Sequence, residues 1–337
     1  MNFFGQTTAA SFAVALGIAT CAGVHAGTFC VSSVTQLSQA LTNAQDNGED
    51  DTIYLVVGNY LLSSELFYYA PPDETYHLWI LGGMAAGCAL PASSGNSVLD
   101  GQDAVRIFTI SAYGEVQIGR ISFQNGGPAQ NFGGALNITN ASAEDTDLFN
   151  SAFVSNETSS GNGGGAVYLS TQGDAFISNN LFIANTSSGG AAMYLNDGGG
   201  TYVTGNTIVA NQLINHTGTG ALDLTGSGNY WISNNILWNN DAYDVFDQSG
   251  HAIYANNDVG VRSGTPLSVT NELSVDPDFD GFLSVKLAPE SPLVNAGNDI
   301  AAGGTGPLDL SGGPRLIGKH VDIGAYETDV LFRNGYQ

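Results

Sequence analysis

Between about residue 116 and residue 240, apolar and polar positions recur in one phase. Five segments end in the same short phrase: GRISFQN at Asn125, NSAFVSN at Asn156, NNLFIAN at Asn185, GNTIVAN at Asn211 and NNILWNN at Asn240, with spacings of 31, 29, 26 and 29 residues. A second phrase falls between them: GGALNIT with Ala135, GGAVYLS with Ala166, GAAMYLN with Ala192 and GALDLTG with Ala221. Two motifs repeating together mark a stacked architecture in which one unit cannot bury its apolar face alone. Runs such as Ala221-Leu222-Asp223-Leu224 and Tyr202-Val203-Thr204 alternate with a period near two, as strands do, and Gly, Asn, Ser and Asp fill the gaps as turns require. The expected fold is all-β, a parallel β-helix whose coils stack about 4.8 Å apart. The repeated Asn then forms a ladder, each side chain hydrogen-bonding to its neighbour on the next coil.

Upstream, Val34 to Ala44 places apolar residues at helical intervals and Asp50 to Val57 reads as a strand. A short amphipathic helix is therefore expected to cover the open end of the stack and protect its edge groups. The chain divides into a cap with less regular first coils (27–115), regular coils (116–281), and an extended wrap with a tail (282–337). The first 26 residues stand apart. An apolar run from Ala9 to Ala22, followed by Val24-His25-Ala26, predicts a signal peptide cleaved after Ala26, and hence export to the periplasm, cell surface or exterior. Lipidation at Cys21 is the alternative. After cleavage Cys30 and Cys88 remain, and an even count in an exported chain points to a disulfide. Closing that loop is worth about 4 kcal/mol in the chain-entropy model.

Charge narrows the partners. With 31 acidic against 7 basic residues, the net charge of -24 argues against nucleic acid and anionic membrane. It also argues against polyanions such as pectate, unless Ca²⁺ bridges them. Glycine supplies 45 of 337 residues and charged residues only 11%, so turns rather than charged helices cover the surface. A monomer with no membrane span in the mature chain is expected.

The opening CVSSVTQLSQALTNAQDNGEDDTIYLVVGNY, the repeats, and the closing SPLVNAGNDI, DLSGGPRLIG and VDIGAYE resemble the bacterial right-handed parallel β-helix proteins with a choice-of-anchor C-terminal segment. The repeats are also similar to those of polymorphic outer-membrane proteins. The resemblance covers nearly all of the mature chain and implies a right-handed helix, secreted or displayed on a surface. It implies that the ending after Thr328 is a short terminal tag concerned with sorting.

Chemistry is expected on the outer faces of the coils. Alternation in the GG-Ala strands points Leu136, Ile138, Val167, Leu169, Met193, Leu195, Leu222 and Leu224 inward, leaving Asn137, Tyr168, Tyr194 and Asp223 in an outward stripe suited to sugar rings. Phe176, Tyr202 and Trp231 form a second candidate stripe, whose parity slips in the earlier coils. Loops covering one or both stripes are the competing expectation, because aromatic side chains also stack well on β surfaces. Glycosidases need paired carboxylates, and Asp223, Asp241, Asp244 and Asp247 are candidates if the fold brings two together. Lyase chemistry needs a basic side chain on the groove, with Arg120 and Arg262 available. Arg120 is equally suited to capping a turn. His216 and His251 sit in polar loops. Asp276, Asp278 and Asp280, followed by Gly281, match the first half of a Ca²⁺ loop, but Leu287 stands where a bidentate Glu belongs. In the wrap, Asp309, Arg315, Asp322 and Glu327 are expected to form a local salt bridge, since a buried Arg must be paired. The resulting expectation is a glycan- or surface-binding protein of adhesin type. The alternatives are a polysaccharide lyase or glycoside hydrolase with an open groove, and a purely structural surface protein.

Overall fold

The structure, a computed structural model, describes residues 27–128, 131–159, 163–214, 219–281 and 284–328. The expected signal peptide and the tail from residue 329 lie outside them, as does His216. Among the described residues the chain forms a right-handed parallel β-helix with sheets of ten, eight and eight strands. One coil runs through Val116–Gly119 in sheet 1, Ile121–Gln124 in sheet 2 and Leu136–Asn140 in sheet 3, then returns to sheet 1 at Thr146–Phe149. Every coil repeats that order in register, so like residues stack. Phe123, Phe153 and Phe182 pair in register inside the helix, with ring centroids 5.0 and 4.7 Å apart. The eight inward residues expected from the alternation are all buried.

The helix Val34–Ala44 closes the first coil. Ser33 caps it, its hydroxyl accepting from the Gln36 N–H at 3.3 Å while the Gln36 side chain accepts from the Ser32 N–H at 2.8 Å. Leu37, Ala40, Leu41 and Ala44, one face of the helix, are buried against the end of the core. Cys30 and Cys88 are disulfide-bonded, as the cysteine count predicts, and tie the first strand to a turn 58 residues later.

The ladder is present, with one shift and one addition. Asn156 donates through its backbone N–H and its amide to Asn185 Oδ1, both at 3.0 Å; Asn185 does the same to Asn211, and Asn211 to Asn240. The run ends on Asp244, whose Oδ1 accepts from Asn240. Asn125 is not a rung. It occupies the left-handed position (φ 52°) that Ser155, Ala184, Ala210 and Asn239 hold on the later coils, and Gly126 N–H makes the rung to Asn156. The phrase FQN is one residue shorter than FVSN, so matching its final Asn to the repeat misplaces it by one. A second ladder, Asn180, Asn206, Asn235 and Asn257, runs along the turn between sheets 1 and 2. Its sequence signal is the Asn-Asn dipeptide. The first Asn of each pair takes the left-handed conformation that Asn tolerates better than most residues, and the second turns inward.

Those left-handed Asn side chains reach outward to hold the wrap. Asn150 donates to the Asp309 carbonyl at 2.6 Å, Asn179 to Thr305 at 2.8 Å, and Asn234 to Asn298 at 2.9 Å. The wrap lies on the outer face of sheet 2, where Val209 and Ile236 form a second apolar cluster with Leu287, Leu293 and Ile323. Arg315 is only 2% exposed and pairs with Glu327 at 2.6 Å, as its burial requires. Gly205 replaces the left-handed Asn on one coil (φ 66°), where a Cβ would come within 3.0 Å of the Arg315 guanidinium.

Candidate functional site

Strand register places Asn137, Tyr168, Tyr194 and Asp223 in one outward row of sheet 3, as the alternation predicts. The row is not an open platform. Phe132 packs on Tyr168 at 4.3 Å, the Tyr168 and Tyr194 rings stack on each other at 5.6 Å, and Asp223 is 0% exposed. Burial pushes the Asp223 carboxyl up to about 6, against a hydrogen bond from Gln248 at 2.9 Å. It is enclosed, which corrects its expected place as an accessible acid. Asp244 and Asp247 are buried too. Asp244 ends the first ladder and accepts from the Val261 N–H, and Asp247 Oδ1 accepts from Ser249 and Gly250. Asp241 accepts from the Leu213 and Ala242 N–H groups. These acids hold turns and rungs.

The second stripe is more regular than the alternation suggested. Its parity does not slip, because the row continues in register from Trp231 through Tyr202, Phe176, Asp147 and Gln117 to Trp79. Phe176 and Tyr202 stack at 4.8 Å with planes 6° apart, and Tyr202 and Trp231 at 4.6 Å and 8°. Rings stacked that way spend their faces on one another and turn their edges to solvent. A free face is left only where the stack ends. Beyond Phe176 the next rung is a short carboxylate, Asp147, so the Phe176 face turned away from Tyr202 looks along the row onto Asp147.

That end opens into a cleft of about 320 Å³ lined by Asp145, Asp147, Phe149, Phe176, Ser178 and the wrap at Gly303 and Pro307. Burial pushes the Asp147 carboxyl up to about 6, with Glu115 and Asp145 adding to the rise. Asp145 is raised by burial and by Asp174, Glu115 and Glu144. A carboxyl that holds its proton into the weakly acid range both donates and accepts hydrogen bonds, while a ring face provides apolar contact. Neither Asp145 nor Asp147 stood out in the sequence. Their shared row with the aromatic stripe becomes visible only when the 29-residue offset from Asp147 to Phe176 is read as strand register.

The remaining candidates lie apart. Arg262 pairs with Glu272 at 2.6 Å, His251 is exposed, and Arg120 lines a neighbouring cavity. Asp276, Asp278 and Asp280 are exposed; Asp276 accepts from the Asp278 N–H in a tight turn. Among the described residues no group of three or more metal-ligating side chains converges, and no helix is long and apolar enough to cross a membrane. The class defined by fold and site is thus a right-handed parallel β-helix with a wrapped outer face. Comparison with protein-family models gave no match, and neither curated proteins nor solved structures gave one.

Proposed function

We propose that this chain is an exported, surface-acting β-helix that binds a glycan in the acid-lined cleft at the Phe176 end of the aromatic stack. The observation that carries the proposal is the abrupt end of the stack on two carboxylates, which leaves one ring face beside a cleft of sugar-ring size. A pyranose on that face continues the stack, and its hydroxyls meet Asp145 and Asp147. The resemblance to choice-of-anchor proteins fits a protein displayed where glycans are met. The test is retention of the chain from Gly27 on a panel of immobilised polysaccharides, comparing wild type with Phe176→Ala and Asp147→Ala. Binding lost in both variants supports the cleft; binding unchanged in both removes it.

A second reading has its own observation. Asp147, in the strand Thr146–Phe149, and Asp145, the residue just before that strand, both line the cleft, and both carboxyls are raised. Inverting glycosidases set two carboxyl groups about 6.5–9.5 Å apart. Appearance of new reducing ends, lost in Asp147→Asn, would move the function from binding to hydrolysis. Retention without new ends keeps it a binding module.

A further inference from the structure

We propose that the cavity beside the Phe176 cleft holds the carboxylate of an acidic sugar, with Arg120 as its anchor. This rests on the glycan reading above and deepens it by naming the class of glycan, one whose acid groups are spaced along an otherwise neutral chain. The cavity, about 410 Å³, has Ser122 and Ala152 among its lining and adjoins the cleft, with which it shares Phe149, Asn150 and Pro307. The loop at 92–96 and the wrap at 307–312 also line it.

Arg120 stands at the left-handed turn between sheets 1 and 2 (φ 62°). Its guanidinium lies over Gly83, where a Cβ would come within 3.2 Å of it. Its hydrogen bond to the protein is a long one, to the Gly83 carbonyl at 3.4 Å. The other described arginines each have a carboxylate: Arg106 has Glu65 at 3.1 Å, Arg262 has Glu272 and Arg315 has Glu327, both at 2.6 Å. Asp309 also lines the cavity, but its oxygens accept from the Ser311 hydroxyl and the Gly313 and Glu327 N–H groups. In a chain with 31 acids and 7 bases, an arginine in a cavity with no carboxylate partner among the described residues is placed for an anion brought by the ligand. A guanidinium fork matches a carboxylate in two parallel hydrogen bonds.

The adjoining cleft sets the charge spacing. Asp147 lies three residues along the strand direction and one coil across from Arg120, about 11 Å away by strand geometry. A uniformly anionic chain would press a charge onto Asp145 and Asp147. A glycan alternating acidic and neutral sugars can put its carboxylate on Arg120 and a neutral ring on Phe176.

The test is calorimetric titration of the chain from Gly27 with three matched oligosaccharides: neutral, alternating uronate and neutral, and uniformly uronate. A sulfated analogue of the alternating one is a fourth arm. Wild type is expected to prefer the alternating uronate over the neutral sugar by about tenfold or more, the worth of a charge-assisted hydrogen bond. Arg120→Gln should bring that ratio to one. So should Ser122→Asp, which keeps the arginine and gives it an internal carboxylate. A ratio unchanged in both variants overturns the proposal, as does a uniformly charged oligosaccharide binding as tightly as the alternating one. A preference for the sulfated analogue overturns the carboxylate assignment. Wild type binding neutral and acidic sugars equally overturns the inference and leaves the glycan cleft standing, whereas binding neither removes both.

Discussion

Replacing Asn185 by Ala tests how far the inner ladders stabilise the coils. The side chain makes four hydrogen bonds: it donates to the Phe153 carbonyl and to Asn211 Oδ1, and it accepts from the Asn156 N–H and amide. All three Asn residues are buried. After truncation Asn156 Nδ2 keeps the Phe123 carbonyl and Asn211 Oδ1 keeps the Asn185 N–H, but the Asn156 N–H loses its acceptor. One orphaned buried donor costs about 1–3 kcal/mol and each of the three further lost bonds about 1 kcal/mol, so the variant should lose about 4–6 kcal/mol. That is a large share of the stability of an ordinary domain. Urea unfolding followed by tryptophan fluorescence measures it, and hydrogen exchange on the coils around Asn185 localises it, because solenoid stability is close to a sum over neighbouring repeats. Asn185→Asp sharpens the test. A carboxylate facing the Asn211 carbonyl oxygen and buried among ladder groups has a raised folded pKa. The variant should therefore be most stable below the unfolded value of about 3.9 and lose stability as pH rises through the folded value. A loss under about 1 kcal/mol in Asn185→Ala, or no pH dependence in Asn185→Asp beyond that of wild type, would refute the ladder argument.

Three further outcomes follow from the same packing. Asp223, raised to about 6 in the fold, stabilises fully below pH 4 and loses about 3 kcal/mol as pH climbs past 6; Asp223→Asn should match wild type in urea at pH 4 and exceed it at pH 8, and equal midpoints at both would contradict the burial. Arg315→Met should cost about 3–5 kcal/mol by leaving Glu327 buried without its cation, with much of that recovered in Arg315→Met, Glu327→Met, read by hydrogen exchange in residues 284–328. Replacing Cys30 and Cys88 by Ala should cost up to about 4 kcal/mol through the lost 58-residue closure, measured as a drop in thermal midpoint against the unreduced wild type.

The fold was legible because stacking writes itself into sequence. Each coil must bury the same positions against the next, so Leu136, Val167, Met193 and Leu222 recur with the period of the coil. The capping helix was legible from Leu37, Ala40, Leu41 and Ala44 at helical spacing. What escaped was everything that depends on which coil sits beside which. Asn125 was matched to the wrong rung because a one-residue shortening cannot be told from a repeat boundary without strand register. Asp223 alternates outward as expected, yet alternation does not say what covers a face. Asp145 and Asp147 carry no motif; they matter because register sets Asp147 where the next aromatic ring would fall. The wrap lacks periodicity since its partners are left-handed Asn side chains on four different coils, Asn150, Asn179, Asn234 and Asn256, the last donating to the Ala296 carbonyl, and no local pattern in residues 284–328 encodes them.

The central claim is that the end of the aromatic stack, not its length, is the binding surface. It is tested most directly by titrating glycan into Phe176→Ala and Tyr194→Ala side by side, each checked for native circular dichroism. The account predicts that Phe176→Ala abolishes binding while Tyr194→Ala, on the outward row of sheet 3, leaves it intact. Binding that survives Phe176→Ala and is lost in Tyr194→Ala would contradict it and move the site to the opposite stripe.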